Sequence, residues 1–424
     1  MVSRLRCGLC GREYPPGRRV RCSCGGLLEV EHEFPGGVDA SLFDGRLSVL
    51  DPPYNSGVWR FKEVIHPGID ERFIVSRGEG NTNLYRHGRL SAYVGLERLW
   101  VKHEGENPTG SFKDRGMTVG ISEARRLGVE AVICASTGNT SASLAAYAAQ
   151  AELRCIVLLP GGGVAYGKLA QAIAYGARVI EVEGNFDSAM KLLEEAVETL
   201  NLYPLNSINP WRLEGQKSIV LELLQQRRWR PPDWIVLPAG NLGNTSAFGK
   251  ALREAVELEL IGETPRLAAI QAEGANPFYK LWKEGGEELR AVEKPKTIAS
   301  AIRIGRPVNW RRALRTIKWT DGVVEEVSDQ EIMDAKAIID RCGIGCEPAS
   351  AASVAGARKL VEMGVIDPGE EVVCILTGNL LKDPENTVRY HQGELEGVKP
   401  RFANRILRIE PELEELEKAI GKRG

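Results

Sequence analysis

From Leu99 onward, short apolar runs alternate with longer stretches of helical periodicity. Runs at 131–135, 155–159, 178–182, 234–237, 267–271 and 372–376 read as strands. Stretches at 140–151, 165–175, 186–200 and 245–258 read as helices. So does 116–127, where Met117, Ile121 and Ala124 fall near helical spacing. Apolar strands separated by helices predict an α/β fold, with parallel sheets covered by helices. Ligands of such folds bind beyond the carboxyl ends of the strands. Three polar loops fall at those ends: Ser136-Thr137-Gly138-Asn139-Thr140, Gly240-Asn241-Leu242-Gly243-Asn244 and Thr377-Gly378-Asn379. They can converge on one crevice.

Outside this alternation the chain changes character. Residues 1–30 are rich in Cys, Gly and Arg and poor in helical patterning. Residues 31–98 read as a mixed arm, with a loop at Pro52-Pro53-Tyr54-Asn55-Ser56-Gly57 and a Trp59-Arg60-Phe61 set suited to docking onto the main body. Residues 99–395 form that body, and a smaller subdomain at about 130–205 is expected to be inserted in the larger one. Residues 396–424 are a charged, helix-compatible tail to which no chemistry is assigned.

The formal net charge of -2 and pI near 6.3 leave no electrostatic footprint for a nucleic-acid partner. No run of about 18 apolar residues occurs, so no membrane-spanning helix is expected. The stretch Met1-Val2-Ser3-Arg4-Leu5-Arg6-Cys7 lacks the apolar core of a signal peptide, and a cytoplasmic location is expected. A disulfide framework does not suit that compartment. Cys134, Cys155 and Cys374 lie in apolar runs, where a free thiol behaves as a small hydrophobe. Cys7, Cys10, Cys22 and Cys24 instead crowd the N-terminus as Cys-x2-Cys and Cys-x-Cys-Gly-Gly knuckles. Four thiolates on two tight turns can supply a closed, structural zinc site, a zinc-ribbon-like unit; reduced, unligated thiols are the alternative.

Lys113 stands in Asn107-Pro108-Thr109-Gly110-Ser111-Phe112-Lys113-Asp114-Arg115, between a Gly-rich turn and a helix start. A lysine held and desolvated there has a lowered pKa and a nucleophilic amine, as a Schiff-base lysine needs; a solvated surface lysine is the plainer reading. Gly240-Asn241-Leu242-Gly243-Asn244 can cradle a phosphate on backbone N–H groups at a helix start. It matches neither the P-loop nor the dinucleotide fingerprint, and a plain turn is its alternative. Ser136 to Asn139 offer hydroxyls and an amide suited to a carboxylate or phenolate oxygen, or simply to helix capping. In Asn206-Ser207-Ile208-Asn209-Pro210-Trp211-Arg212, read as a loop, Arg212 has the planar fork that grips phosphate; taken alone it reads as a surface ion pair. An imine-forming lysine together with a phosphate cradle points to pyridoxal phosphate.

At this point the chain resembles the threonine synthases, pyridoxal-phosphate enzymes of the tryptophan-synthase-β-like fold. The likeness spans roughly 78–395. It rests on the Lys113 segment from His103 to Met117, on Ala135 to Thr140, Gly167-Lys168-Leu169-Ala170-Gln171-Ala172 and Arg212-Leu213-Glu214-Gly215-Gln216-Lys217, and on Ile298 to Gly305 and Glu347-Pro348-Ala349-Ser350-Ala351-Ala352-Ser353. The Lys113 segment is shared with related dehydratases; the Arg212 and Glu347 segments are more particular to threonine synthases. The cysteine unit resembles a ribbon that precedes the catalytic domain in some members.

The resemblance implies two parallel-sheet subdomains with the cofactor in the cleft between them. Lys113 would bind the cofactor covalently and act as the base. Asn139 would hydrogen-bond its phenolic oxygen, Gly240, Asn241, Leu242, Gly243 and Asn244 its phosphate, and Thr377 its pyridine nitrogen. Ser207 and Arg212, with Thr140 and Asn241 nearby, would grip the phosphate of O-phospho-L-homoserine. The implied reaction adds water at Cβ after loss of phosphate from Cγ, giving L-threonine, and the implied assembly is a homodimer. Two departures stand out. Asn379-Leu380 replaces the family's usual His-Gly, and Gly161-Gly162-Gly163 replaces Ala-Gly-Lys.

Overall fold

The computed structural model describes residues 3–161, 166–184 and 186–421, without the side chains of 166–168, 186 and 187. Gly162 and Gly163 of the second departure lie outside them.

Two sheets carry the body. The larger has six strands in the order Val323–Val327, Arg266–Ala272, Trp234–Pro238, Glu371–Leu376, Arg98–His103, Leu84–Tyr85. All neighbours are parallel except the last pair. The smaller has four parallel strands in the order Arg178–Val182, Arg154–Pro160, Ala131–Ala135, Tyr203–Pro204. The central strands Ala131–Ala135 and Trp234–Pro238 are buried at every position. Helices cover both faces of such strands, which is why they read as continuous apolar runs rather than alternating ones.

Residues of the N-terminal unit form a three-stranded antiparallel sheet, Glu13–Tyr14, Ser3–Cys7, Leu28–His32. Its last strand docks on the long helix Pro210–Gln226: His32 Nε2 lies 2.9 Å from Glu214 Oε2. Lys250 Nζ donates to Val30 O at 2.6 Å, and Arg312 Nη2 to Leu28 O at 2.6 Å. Trp59 and Phe61 of the arm are fully buried against the body, as their apolar character requires. Among the described residues of the tail only Leu413–Ile420 is helical, and it is exposed throughout or nearly so.

Two helices set the geometry of the crevice. Lys113–Arg126 and Pro210–Gln226 cross so closely that a Cβ on Gly215 would lie 1.9 Å from Arg115 O. One on Gly116 would lie 2.7 Å from Arg212 O. Only glycine permits this approach, and it brings the starts of both helices, with Lys113 and Arg212, to the same region.

Candidate active site

Lys113 is the first residue of its helix, and the loop before it is tied down on three sides. Asp114 accepts from Thr109 N at 2.7 Å, Thr109 Oγ1 at 2.6 Å and Ser143 Oγ at 2.6 Å. The last bond anchors the loop to the helix Asn139–Gln150. Phe112 N donates to Thr377 O at 3.0 Å and Asn379 N to Gly110 O at 2.9 Å. Thus the altered Asn379-Leu380 loop still closes on the lysine loop, and Asn379 Oδ1 caps its own short turn through Leu381 N. Lys113 is half-buried, with Nζ 3.9 Å from the Phe112 ring centroid. Desolvation lowers its pKa to about 7, the Arg212 charge presses the same way, and Glu347 opposes both.

Two of the polar loops carry Asn139 and Thr377. Asn139 Nδ2 donates to both Glu347 oxygens, at 2.9 and 3.1 Å. The side chains of Ser136 and Asn139 do not cap their helix: the N-cap is Gly138, without a side-chain bond. Ser136 Oγ accepts from Gly138 N instead. Thr377 is buried, its Oγ1 3.0 Å from Ser350 Oγ. Thr140 sits half-buried beside Asn139 in the first helical turn.

The third group surrounds the glycine-rich loop. The helix Gly243–Glu257 starts on Leu242, whose φ of 62° is the left-handed conformation of a sharp turn. The first N–H groups of any helix lack internal acceptors. Here they open beside Asn244 Oδ1 and Thr245 Oγ1, both buried and without a partner. Gln216 lies between this turn and the Lys113 helix: its Oε1, also unpartnered, is 3.3 Å from where a Gly243 Cβ would stand. Its Nε2 is 3.2 Å from a Gly116 Cβ. Asn241 Nδ2 donates to Ser207 Oγ at 2.6 Å, and Asn309 Nδ2 to Asn241 O at 3.1 Å. A cavity of about 700 Å³ opens over Ser207, Asn241 and Val308.

Arg212 corrects the sequence reading twice. It belongs to a helix, not a loop, and at 1% exposure it is no surface ion pair. Asn209 caps that helix by accepting from Trp211 N and Arg212 N, and Pro210 opens it. Arg212 Nη1 donates to Leu205 O at 2.9 Å, while Nε and Nη2 are buried with no partner. Burial lowers its pKa to about 10. A buried guanidinium with open donors is costly unless a ligand completes it.

A family model described as pyridoxal-phosphate dependent enzyme matches residues 75–378. The chain belongs to this family. It is 48% identical over 386 residues to the threonine synthase of Methanocaldococcus jannaschii, covering 91% of this chain and 94% of that one. It is 48% identical over 387 residues to the threonine synthase of Methanosarcina acetivorans, covering 91% and 93%. Among solved structures, maize serine racemase shares the fold with a TM-score of 0.62, at 20% identity over 79% of this chain and 98% of that one.

The residues fit the family's cofactor. A desolvated lysine, an amide, a buried hydroxyl and a helix start with orphaned polar groups could offer it an amine, a phenolate donor, a ring-nitrogen partner and a phosphate cradle. Sequence reasoning missed Asp114, Gln216 and Glu347. The signal for Asp114 was its place after the lysine; Gln216 and Glu347 are distant in sequence, and only the fold brings them here.

The four N-terminal thiols also meet. Their Sγ atoms all lie within 4.8 Å of one another, with contacts of 3.5 Å for Cys7–Cys24, Cys10–Cys22 and Cys10–Cys24. Four sulfurs on one zinc, at about 2.3 Å each, stand about 3.8 Å apart, so the cluster needs little adjustment. A Cβ on Gly26 would fall 2.6 Å from Cys7 Sγ, which explains the glycine, and the sulfur distances show that the short Cys22-x-Cys24 knuckle still closes. Among the described residues no helix is long and apolar enough to cross a membrane.

Proposed function

We propose that this chain converts O-phospho-L-homoserine and water to L-threonine and phosphate. The observation that carries the reading is Arg212: a buried guanidinium with two unpartnered nitrogens, near enough to Lys113 to shift its pKa. Such a fork suits a phosphate dianion. The identity to two threonine synthases supports the same reading.

Lys113, Asn139, Gly240, Asn241, Leu242, Gly243, Asn244 and Thr377 would hold the cofactor, Lys113 covalently. When bound, the cofactor draws electrons from the substrate's amine-bearing carbon and so acidifies the proton at Cα. Lys113 takes that proton; a pKa near 7 lets it both accept and return protons at neutral pH. Loss of a further proton from Cβ precedes departure of phosphate from Cγ; two protons return, one to Cγ and one to Cα, and water adds its OH at Cβ while its remaining proton leaves with the phosphate. Arg212 and Ser207 grip the phosphate, with Thr140 and Asn241 beside it. Serine or homoserine would leave the Arg212 charge unpaired and so bind far worse.

The test is phosphate release from O-phospho-L-homoserine with threonine formed in equal amount, run beside ammonia release from L-serine and L-threonine. Ammonia release alone, with phosphohomoserine inert, would make the protein a dehydratase instead. The homodimer is read from the resemblance and is checked by sedimentation. A structural zinc on Cys7, Cys10, Cys22 and Cys24 predicts one metal per chain by elemental analysis.

A further inference from the structure

Glu347 has no assigned part in this chemistry, yet the site is built around it. It is 3% exposed and occupies the N-cap of the helix Pro348–Glu362 without making the side-chain cap that position invites. The helix dipole there favours a carboxylate that stays ionised. Its two oxygens share one N–H of the Asn139 amide, with Nδ2 2.9 and 3.1 Å away. A Cβ on Gly378 would lie 2.3 Å from Glu347 Oε1, so the Thr377 loop can approach only because residue 378 is glycine. Lys113, Lys382 and Cys346, from three different segments, all feel its charge.

We propose that Glu347 is a positioning residue that forces Asn139 to present an N–H to the cofactor's phenolic oxygen. The argument is one of donor and acceptor count. A carboxylate only accepts, so Asn139 must turn its Nδ2 toward Glu347 and its Oδ1 away. Nδ2 carries two hydrogens, and the one not held by Glu347 is free for an oxygen of the ligand. A glutamine at 347 could pair with either end of the amide, and the orientation would no longer be enforced. The inference rests on the assignment of Lys113 and Asn139 as cofactor residues but not on the identity of the substrate.

The test is a double-mutant cycle on the affinity of the full-length apoprotein for pyridoxal phosphate, read by its visible band. Asn139→Ala should weaken binding, and Glu347→Gln should weaken it about tenfold or more, as loss of a bond to a charged group does. Glu347→Gln should also shift the band of the bound cofactor, which a merely structural change would leave in place. The double variant should bind like Asn139→Ala alone. Wild-type affinity in Glu347→Gln, or additive losses, would overturn the inference while leaving the cofactor assignment intact. Wild-type affinity in Asn139→Ala would overturn both. If Glu347→Gln fails to fold, Gly378→Ala displaces the carboxylate without removing it and should give the same loss; unchanged binding there counts against the inference.

Discussion

Two buried charge clusters share the same pair of helices and differ in one respect. Arg115, on the Lys113 helix, is fully enclosed, and its Nε and Nη2 donate to Glu104 at 2.5 and 2.7 Å. Nη2 also donates to Glu222 Oε1 at 2.8 Å and to Thr82 Oγ1 at 3.1 Å, and Nη1 to Ser218 Oγ at 3.3 Å. Glu222 in turn takes Lys102 Nζ at 2.6 Å and Arg60 Nη2 at 3.2 Å. These charges hold Glu222 well below the usual carboxylate range and Arg115 above its own. At the starts of the same two helices, Lys113 rests over an aromatic ring and Arg212 keeps two open nitrogens. Burial penalises every one of these ions. In the first cluster neighbouring protein groups offset that cost; in the second they do not, which is what a site awaiting an anionic ligand would show. The closed cluster holds the helices together, and the open one works between them.

That contrast can be broken by substitution, because the two clusters should fail in opposite ways. The largest effect is expected for Lys113→Met: threonine formation should fall about ten-thousand-fold, as for a lost general base. The apoprotein's melting temperature should stay level or rise, since an unpaired cation has gone. Glu222→Gln should do the reverse. It strands Arg115, Lys102 and Arg60 with too few acceptors and should cost about 3–5 kcal/mol in denaturant unfolding, with activity per folded molecule little changed. Arg212→Leu keeps packing but removes the open fork. The KM for O-phospho-L-homoserine should rise about 10–100-fold, while stability is neutral or improved. A loss of stability on the scale of Glu222→Gln would put Arg212 in the closed cluster and sink the contrast.

The sequence showed the open cluster more readily than the closed one. Strands such as Ala131–Ala135 and Trp234–Pro238 are apolar at every position, and polar Gly-rich loops follow both, so the fold and the loops at its strand ends were legible. The strand Arg98–His103 was not, because Arg98, Lys102 and His103 leave only three apolar positions in a row, and Lys102 is buried by the ion pair to Glu222. The helix Pro210–Gln226 failed for the same reason. It is buried from Pro210 to Gln225; Glu214 and Lys217 pair with each other, Lys217 also with Glu254, and Glu222 with Arg60, Lys102 and Arg115. No amphipathic stripe survives in such a helix. Asn209-Pro210 was a usable start signal, and reading it would have moved Arg212 from a loop to a helix. Glu347 and Gln216 fall in segments that carry the family resemblance, but single-sequence periodicity gives them no role, because their neighbours in space lie on other segments.

The smallest effect sharpens the contrast at Lys113 itself. Its pKa falls from the ordinary 10.5 to about 7, first through desolvation and then through Arg212. Only the neutral amine attacks a carbonyl. The rate at which apoprotein takes up pyridoxal phosphate should therefore rise as pH increases through about 7 and level off above it. In the linkage sense, a lysine depressed in the fold binds fewer protons than in the unfolded chain across the interval between those two values. Apoprotein stability should thus increase with pH across that interval, a gain absent from Lys113→Met. Arg212→Leu removes the second cause, so the inflection should move to higher pH, though not to the ordinary value, because desolvation remains. An inflection at 10.5 in the wild type would mean that Lys113 is solvated after all. One that ignores Arg212→Leu would mean that the two cations of the open cluster do not sense each other.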